Sequence, residues 1–212
     1  MRIKICGITE LGAAEEIVRL GATALGFICV EQSPRYILPQ QIAKIITGLN
    51  CSVDTIGVFA NAELAEIVAV VEQTKLTGVQ LHGTESPEFC QDLRNQLPPE
   101  IELIKAFRVK DAQTLQTIGM YQEVVDTLLL DAYHPQILGG TGHTLNWQDL
   151  QQFAPSLPWL LAGGLNPSNV DSALQELTPD GIDLSSGVER SPGKKDLVKV
   201  RQLFASLKSI SP

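Results

Sequence analysis

Along the chain one pattern recurs. A short apolar run is followed by a break of polar residues or glycine, then by apolar positions at three- and four-residue spacing, and then by glycine or proline. The run reads as a buried strand and the spaced positions as the inner face of a helix. The first unit is a strand from Arg2 to Cys6, with Thr9 expected to cap a helix from Leu11 to Leu20 that Gly21 stops. Further units place strands at Ala24 to Cys29, Thr55 to Phe59 and Gly78 to Leu81, with helices after Pro39, from Ala62 to Gln73 and after Pro87. The second half adds strands at Ile101 to Phe107, Val124 to Leu130, Trp159 to Ala162 and Gly181 to Leu184. Its helices are expected after Asp111, near Trp147, after Pro167 and from about Lys194.

Nearly unbroken apolar strands such as Leu128-Leu129-Leu130 imply a parallel sheet covered by helices. Eight strand–helix units in 212 residues predict a single-domain α/β fold, a lean (βα)8 TIM barrel of eight parallel strands spanning residues 1–212. The competing doubly wound sheet would carry a glycine-rich fingerprint after its first strand, whereas Cys6-Gly7-Ile8-Thr9 holds one glycine. Leu97-Pro98-Pro99 reads as a loop between helix and strand, not a linker.

Composition narrows the class. Hydrophobic residues make up 44% and charged residues 19%, which excludes a disordered or coiled-coil chain. The formal charge is −8, and no basic stripe is present that could neutralise a polynucleotide, so nucleic acid is not an expected partner. Arg190, Lys194, Lys195, Lys199 and Arg201 read as the solvated face of the last helix, with Lys194 and Lys195 able to attract a small anion. Cys6, Cys29, Cys51 and Cys90 are scattered without metal-ligand spacing. No metal site is expected, nor a disulfide framework. No apolar signal core or membrane-length run occurs, so the expected location is the cytoplasm.

Barrel active sites form at the carboxyl ends of the strands. The residues there are Cys6-Gly7, Ser33-Pro34-Arg35, His82-Gly83, Asp131, Gly163-Gly164 and Ser185-Ser186-Gly187. Glycine and serine after the seventh and eighth strands leave backbone N–H groups open to a phosphate, although either could be a simple turn. Arg35 could hold a carboxylate with a forked pair of hydrogen bonds, or stand in solvent. Asp131, beside apolar surface, suits proton donation or could cap the next loop. Cys6 is either a small buried hydrophobe or a reactive thiol, and His82 either an anion donor or a loop tie. Gly139-Gly140-Thr141-Gly142 could close over a ligand.

These residues stand in blocks that resemble the phosphoribosylanthranilate isomerase family from end to end. The blocks include Lys4 to Thr9, Ser33 to Tyr36, Gly57-Val58-Phe59, Val79 to Gly83, Leu129-Leu130-Asp131, Gly139 to Gly142, Leu161 to Pro167, Asp183 to Glu189 and Pro192 to Asp196. The resemblance implies a cofactor-free Amadori rearrangement of N-(5-phosphoribosyl)anthranilate in tryptophan biosynthesis, by a monomer or homodimer. It assigns Cys6 as general base, Asp131 as general acid and Arg35 as partner of the anthranilate carboxylate. His82, Gly142, Gly163, Gly164, Ser185, Ser186 and Gly187 would bind the rest of the phosphorylated substrate.

An unperturbed thiol is about 3% ionised at pH 7, so a helix terminus or bound ligand is expected to lower the Cys6 pKa, with Lys4 a candidate helper. Two departures from the family pattern stand out: Gly26 to Glu31 lacks the usual aromatic residues, and Ala132 follows Asp131 where a hydroxyl residue is frequent. A pentose-phosphate epimerase, an indole-glycerol-phosphate lyase or a catalytically dead sugar-phosphate sensor would share the barrel. The epimerase would need paired metal ligands, and the sensor would have no use for Cys6 and Asp131.

Overall fold

The computed structural model describes residues 1–109, 112–132, 150 and 153–210. Eight parallel strands close into a barrel in sequence order: β1 (Arg2–Cys6), β2 (Ala24–Ile28), β3 (Asp54–Phe59), β4 (Gly78–Leu81), β5 (Glu102–Val109), β6 (Thr127–Ala132), β7 (Trp159–Ala162) and β8 (Gly181–Leu184). Closure is made by β8 against β1, where Lys4 pairs in register with Asp183. The described helices are α1 (Leu11–Leu20), α2 (Pro39–Gly48), α3 (Leu64–Thr74), α4 (Pro87–Gln96), α5 (Ala112–Thr117), α6 (Val170–Glu176) and α7 (Leu197–Ile210). The loop at 139–142 and the helix expected near Trp147 lie outside the described residues.

Because side chains alternate across a strand, the barrel has two apolar cores. Ile56, Ile104, Ala106, Leu129, Leu160 and Ala162 fill its interior, while the other face of the strands, including Ile5, Phe27, Phe59 and Leu130, packs beneath the helices. Each buried Ile, Leu or Phe removes enough apolar surface from water to contribute roughly 1.5–3 kcal/mol. The strands are therefore apolar on both faces, as their sequence predicts.

Local signals set several boundaries. Gly21, at φ 120°, ends α1 with its N–H turned back to Ile17 and Val18. Proline opens α2 and α4, and Ser86 accepts a hydrogen bond from the Phe89 N–H.

Four expectations need correction. Thr9 does not cap α1: its hydroxyl donates to the Gly193 carbonyl at 2.5 Å, and Glu10 occupies the cap position without a capping bond, its carboxylate accepting from Lys194 instead. Strand β6 starts at Thr127, since the Val124 and Val125 N–H groups close a turn onto the Tyr121 carbonyl; Val125 is apolar because it packs into the core from that turn. The last helix starts at Leu197, because Lys194–Lys195 instead pairs as strand β10 with Glu189–Ser191, strand β9, in an antiparallel hairpin. Lys195 is accordingly no part of a solvated helix face: its side chain is 1% exposed.

Candidate active site

At the carboxyl end of the barrel lies a pocket of about 250 Å³. Strand β1 contributes Cys6, the loop after β2 contributes Arg35, the segment after β4 contributes His82, and β6 contributes Asp131. The wall between Asp131 and Cys6 comes from the ends of β7 and β8, through Gly163, Gly164, Ser185 and Ser186. Eight of the residues singled out from sequence thus face one cavity. Gly187 does not line it; a Cβ there would fall 1.9 Å from the Leu165 carbonyl oxygen, so its glycine serves close backbone packing. Gly142 lies outside the described residues.

Cys6 sits at the end of β1, and burial pushes its thiol above the ordinary range. Lys4 and Lys195 pull it back part of the way, while Asp183 adds to the rise. These surroundings do not supply the acidification expected of a helix terminus, which leaves a bound ligand as the other expected cause: at neutral pH the resting group is the protonated thiol. What the fold supplies is a place for the thiolate, since two buried ammonium groups face it. Lys4 is fully buried and bonded to Asp183 at 3.0 Å. Burial alone would depress its pKa, but Asp183 and Cys6 outweigh that and hold the ammonium above its usual range.

Across the pocket, the Asp131 carboxylate stands 3.6 Å from His82 Nε2, close for electrostatics but long for a direct hydrogen bond. Gln80, an inward-facing polar residue of β4, lies 2.8 Å from His82 Nδ1. With its amide assigned as the donor, the hydrogen of a neutral ring sits on Nε2, toward Asp131. The adjoining loop is fixed by Glu85, which accepts from the Asn61 and Gly83 N–H groups and pairs with the buried Lys105 at 3.0 Å.

Gly163 and Gly164 have φ of 96° and 65°, a backbone only glycine adopts without strain, and so present bare peptide groups to the pocket. Ser185 Oγ is buried with no hydrogen-bond partner among the described residues. An orphaned donor at a pocket wall, beside side-chain-free backbone, suits an anion.

The sequence reading assigns no individual role to Asp183, Gln80 or Glu189, and places Lys195 on a solvated helix face as a group able to attract a small anion. Gln80 and Asp183 could have been found, because each interrupts an apolar strand at an inward position. Glu189 and Lys195 depend on a hairpin that no periodicity announces. Among the described residues, no group of three His, Cys, Asp or Glu side chains is placed to hold a metal ion, and no helix is long and apolar enough to cross a membrane.

A closed parallel barrel with a carboxylate, a thiol and side-chain-free loops gathered in one pocket at its carboxyl end has the arrangement of a barrel enzyme. The family model for N-(5'-phosphoribosyl)anthranilate isomerase matches residues 3–206. The isomerase of that name from Rippkaea orientalis is 63% identical over 211 residues, covering 100% of this chain and 98% of the relative. The crystal structure of phosphoribosyl anthranilate isomerase from Thermotoga maritima aligns with a TM-score of 0.88 at 37% identity, over 99% of this chain and 100% of that one. A further isomerase structure holds reduced 1-(o-carboxyphenylamino)-1-deoxyribulose 5-phosphate; it aligns with a TM-score of 0.83 at 35% identity, over 99% of this chain and 100% of that one. The chain belongs to the N-(5'-phosphoribosyl)anthranilate isomerase family, isomerases of the intramolecular oxidoreductase class that act in tryptophan biosynthesis.

Proposed function

We propose that residues 1–212 form one catalytic barrel domain that rearranges N-(5-phosphoribosyl)anthranilate to 1-(2-carboxyphenylamino)-1-deoxyribulose 5-phosphate, with Asp131 as general acid and Cys6 as general base. The observation that carries this reading is that Asp131 and Cys6 line one pocket, with Gly163, Gly164, Ser185 and Ser186 in the wall between them. Gly163, Gly164, Ser185 and Ser186 take the phosphate, and the Ser185 hydroxyl gains the partner it otherwise lacks. Arg35 stands on the Cys6 side and His82 on the Asp131 side, so donors flank the sugar and ring from both directions.

Asp131 delivers a proton to the ribose ring oxygen as the anthranilate nitrogen pushes its electron pair toward C1, opening the ring to a protonated imine. That step requires the protonated acid. The Asp131 side chain is 34% exposed, and an aromatic ligand seated beside it shields the transfer from water. The imine acidifies the hydrogen on C2. Cys6, as a thiolate favoured by the charges of Lys4 and Lys195, removes it, and the electrons move to nitrogen to give an enolamine. Tautomerisation of the enolamine, with a proton added at C1 and the C2 hydroxyl proton released, yields the ketose. These transfers draw on acid, base and hydrogen-bond donors that the pocket already carries, and require neither metal nor cofactor.

The protein works in the cytoplasm as a monomer or homodimer, and its four free cysteines suit a reducing compartment. The test is to generate phosphoribosylanthranilate freshly and follow the loss of its fluorescence on adding the enzyme, identifying the ketose product. A purified, folded chain that leaves the signal at its spontaneous rate overturns the reading.

A further inference from the structure

Arg35 does not enter the pocket as a loose side chain. Its Nε donates to both carboxylate oxygens of Glu189 at 3.0 Å, and its Nη2 to Oε2 at 2.7 Å. Among the described residues Nη1 and the second hydrogen of Nη2 have no partner, and these form the other forked edge of the guanidinium. Glu189 is itself immobilised. Its side chain is 3% exposed, and Oε1 also accepts from Lys195 Nζ at 2.9 Å and from the Gly193 N–H at 3.2 Å. Lys195 is fixed in turn by the Ser185 carbonyl at 3.1 Å.

The hairpin that carries Glu189 and Lys195 is tied down from three directions. Thr9 donates to the Gly193 carbonyl, the Lys199 ammonium donates to the Glu189 carbonyl at 2.8 Å, and the Asp196 N–H reaches Val188. Gly7, next to Cys6, completes the fit: at φ 80°, a Cβ there would come within 2.9 Å of Arg35 Cδ and 3.3 Å of Glu189 Oε1.

We propose that Glu189 is the positioning residue of the carboxylate-recognition site, holding Arg35 by one edge so that the other edge meets the ligand's aromatic carboxylate. The inference rests on Arg35 being the carboxylate partner. The charges agree with the geometry, because Arg35 and Lys195 together outweigh Glu189 by one positive charge, which an incoming carboxylate balances. The guanidinium is therefore oriented before the ligand arrives, and binding does not have to order it.

The test compares two ligands: reduced 1-(o-carboxyphenylamino)-1-deoxyribulose 5-phosphate and the same compound without the carboxyl group. Glu189→Gln should weaken the first about tenfold, with a matching rise in KM, leave the second within about twofold, and change kcat by less than about threefold. Glu189→Asp keeps the charge but withdraws the carboxylate, and should fall between Gln and parent; it also serves if the Gln variant folds poorly in a thermal melt. Combined with Arg35→Ala, Glu189→Gln should add no further loss, because the two act as a unit. Equal weakening of both ligands, an additive double variant, or no change in a folded Glu189→Gln protein would each overturn the proposal. If Arg35→Ala itself fails to discriminate between the ligands, it is the assignment of Arg35 that falls; if Arg35→Ala discriminates and Glu189→Gln does not, the Glu189 proposal alone falls.

Discussion

Two arginines, one at each end of the barrel, are gripped by glutamates, and the contrast shows how the same chemistry serves stability or recognition. Arg2 opens β1 at the amino face, where Nη1 and Nη2 bond Glu102 at 2.5 and 2.6 Å and Nη2 also reaches Asp54 at 2.8 Å. Thr127 donates to the same Glu102 at 2.7 Å. Arg2, Asp54, Glu102 and Thr127 are the first residues of β1, β3, β5 and β6, so the network laces strand beginnings together. Two carboxylates take up both Nη groups of Arg2. Arg35, at the carboxyl face, meets one carboxylate through one edge and lines a pocket with the rest. Charge that closes on itself holds strands in place; charge with an edge left open can recognise a ligand.

Substitutions at the carboxyl end should strike catalysis hardest. Cys6→Ala should lower turnover by about 10² to 10⁴ with product affinity little changed, and a loss of tenfold or less in steady-state kinetics would remove Cys6 from the base role. Since burial holds its thiol above the usual range, kcat/KM of the parent should rise with pH from neutrality into the alkaline region as the thiolate forms. A profile flat across that interval would place the essential base elsewhere. Asp131→Asn keeps the shape but cannot deliver a proton, so kcat should drop at least about 10²-fold at near-parent product affinity; weakened binding with kcat preserved would make Asp131 an anchor.

Arg35→Ala should act on the other kinetic parameter, raising KM by roughly ten- to a hundredfold, and Arg35→Lys should restore only part of it because the fork is lost. The assignment fails if both variants keep the parent KM. Kinetically smallest is Arg2→Met, which leaves Glu102 without its main partner. It should cost about 1–3 kcal/mol of stability in urea melts while kcat/KM stays within about twofold. Catalysis falling with stability intact would erase the distinction between the two arginines.

Much of the fold was legible because its signals are local. β1, β4, β7 and β8 run between the residues that the apolar pattern marks, and α1 ends at the glycine that sequence alone identified. β6 was placed early, because Val125 is apolar for its packing from a turn rather than for any place in a strand. In the site, Cys6, Arg35, His82 and Asp131 are legible as residues after strands, whereas the sequence places Lys195 on a solvated helix face and the structure buries it.

The sequence by itself determined the number and order of strand–helix units and, through them, which loops share one face. Period, proline and glycine act over a few residues, and a parallel barrel sends every strand's carboxyl end the same way. Tertiary structure alone decided the partners of the charges. Lys4 meets Asp183 across 179 positions and Arg35 meets Glu189 across 154. Burial beside those partners, a property of the closed barrel and its hairpin rather than of any local stretch, sets how Cys6 titrates and which edge of Arg35 is left for a ligand.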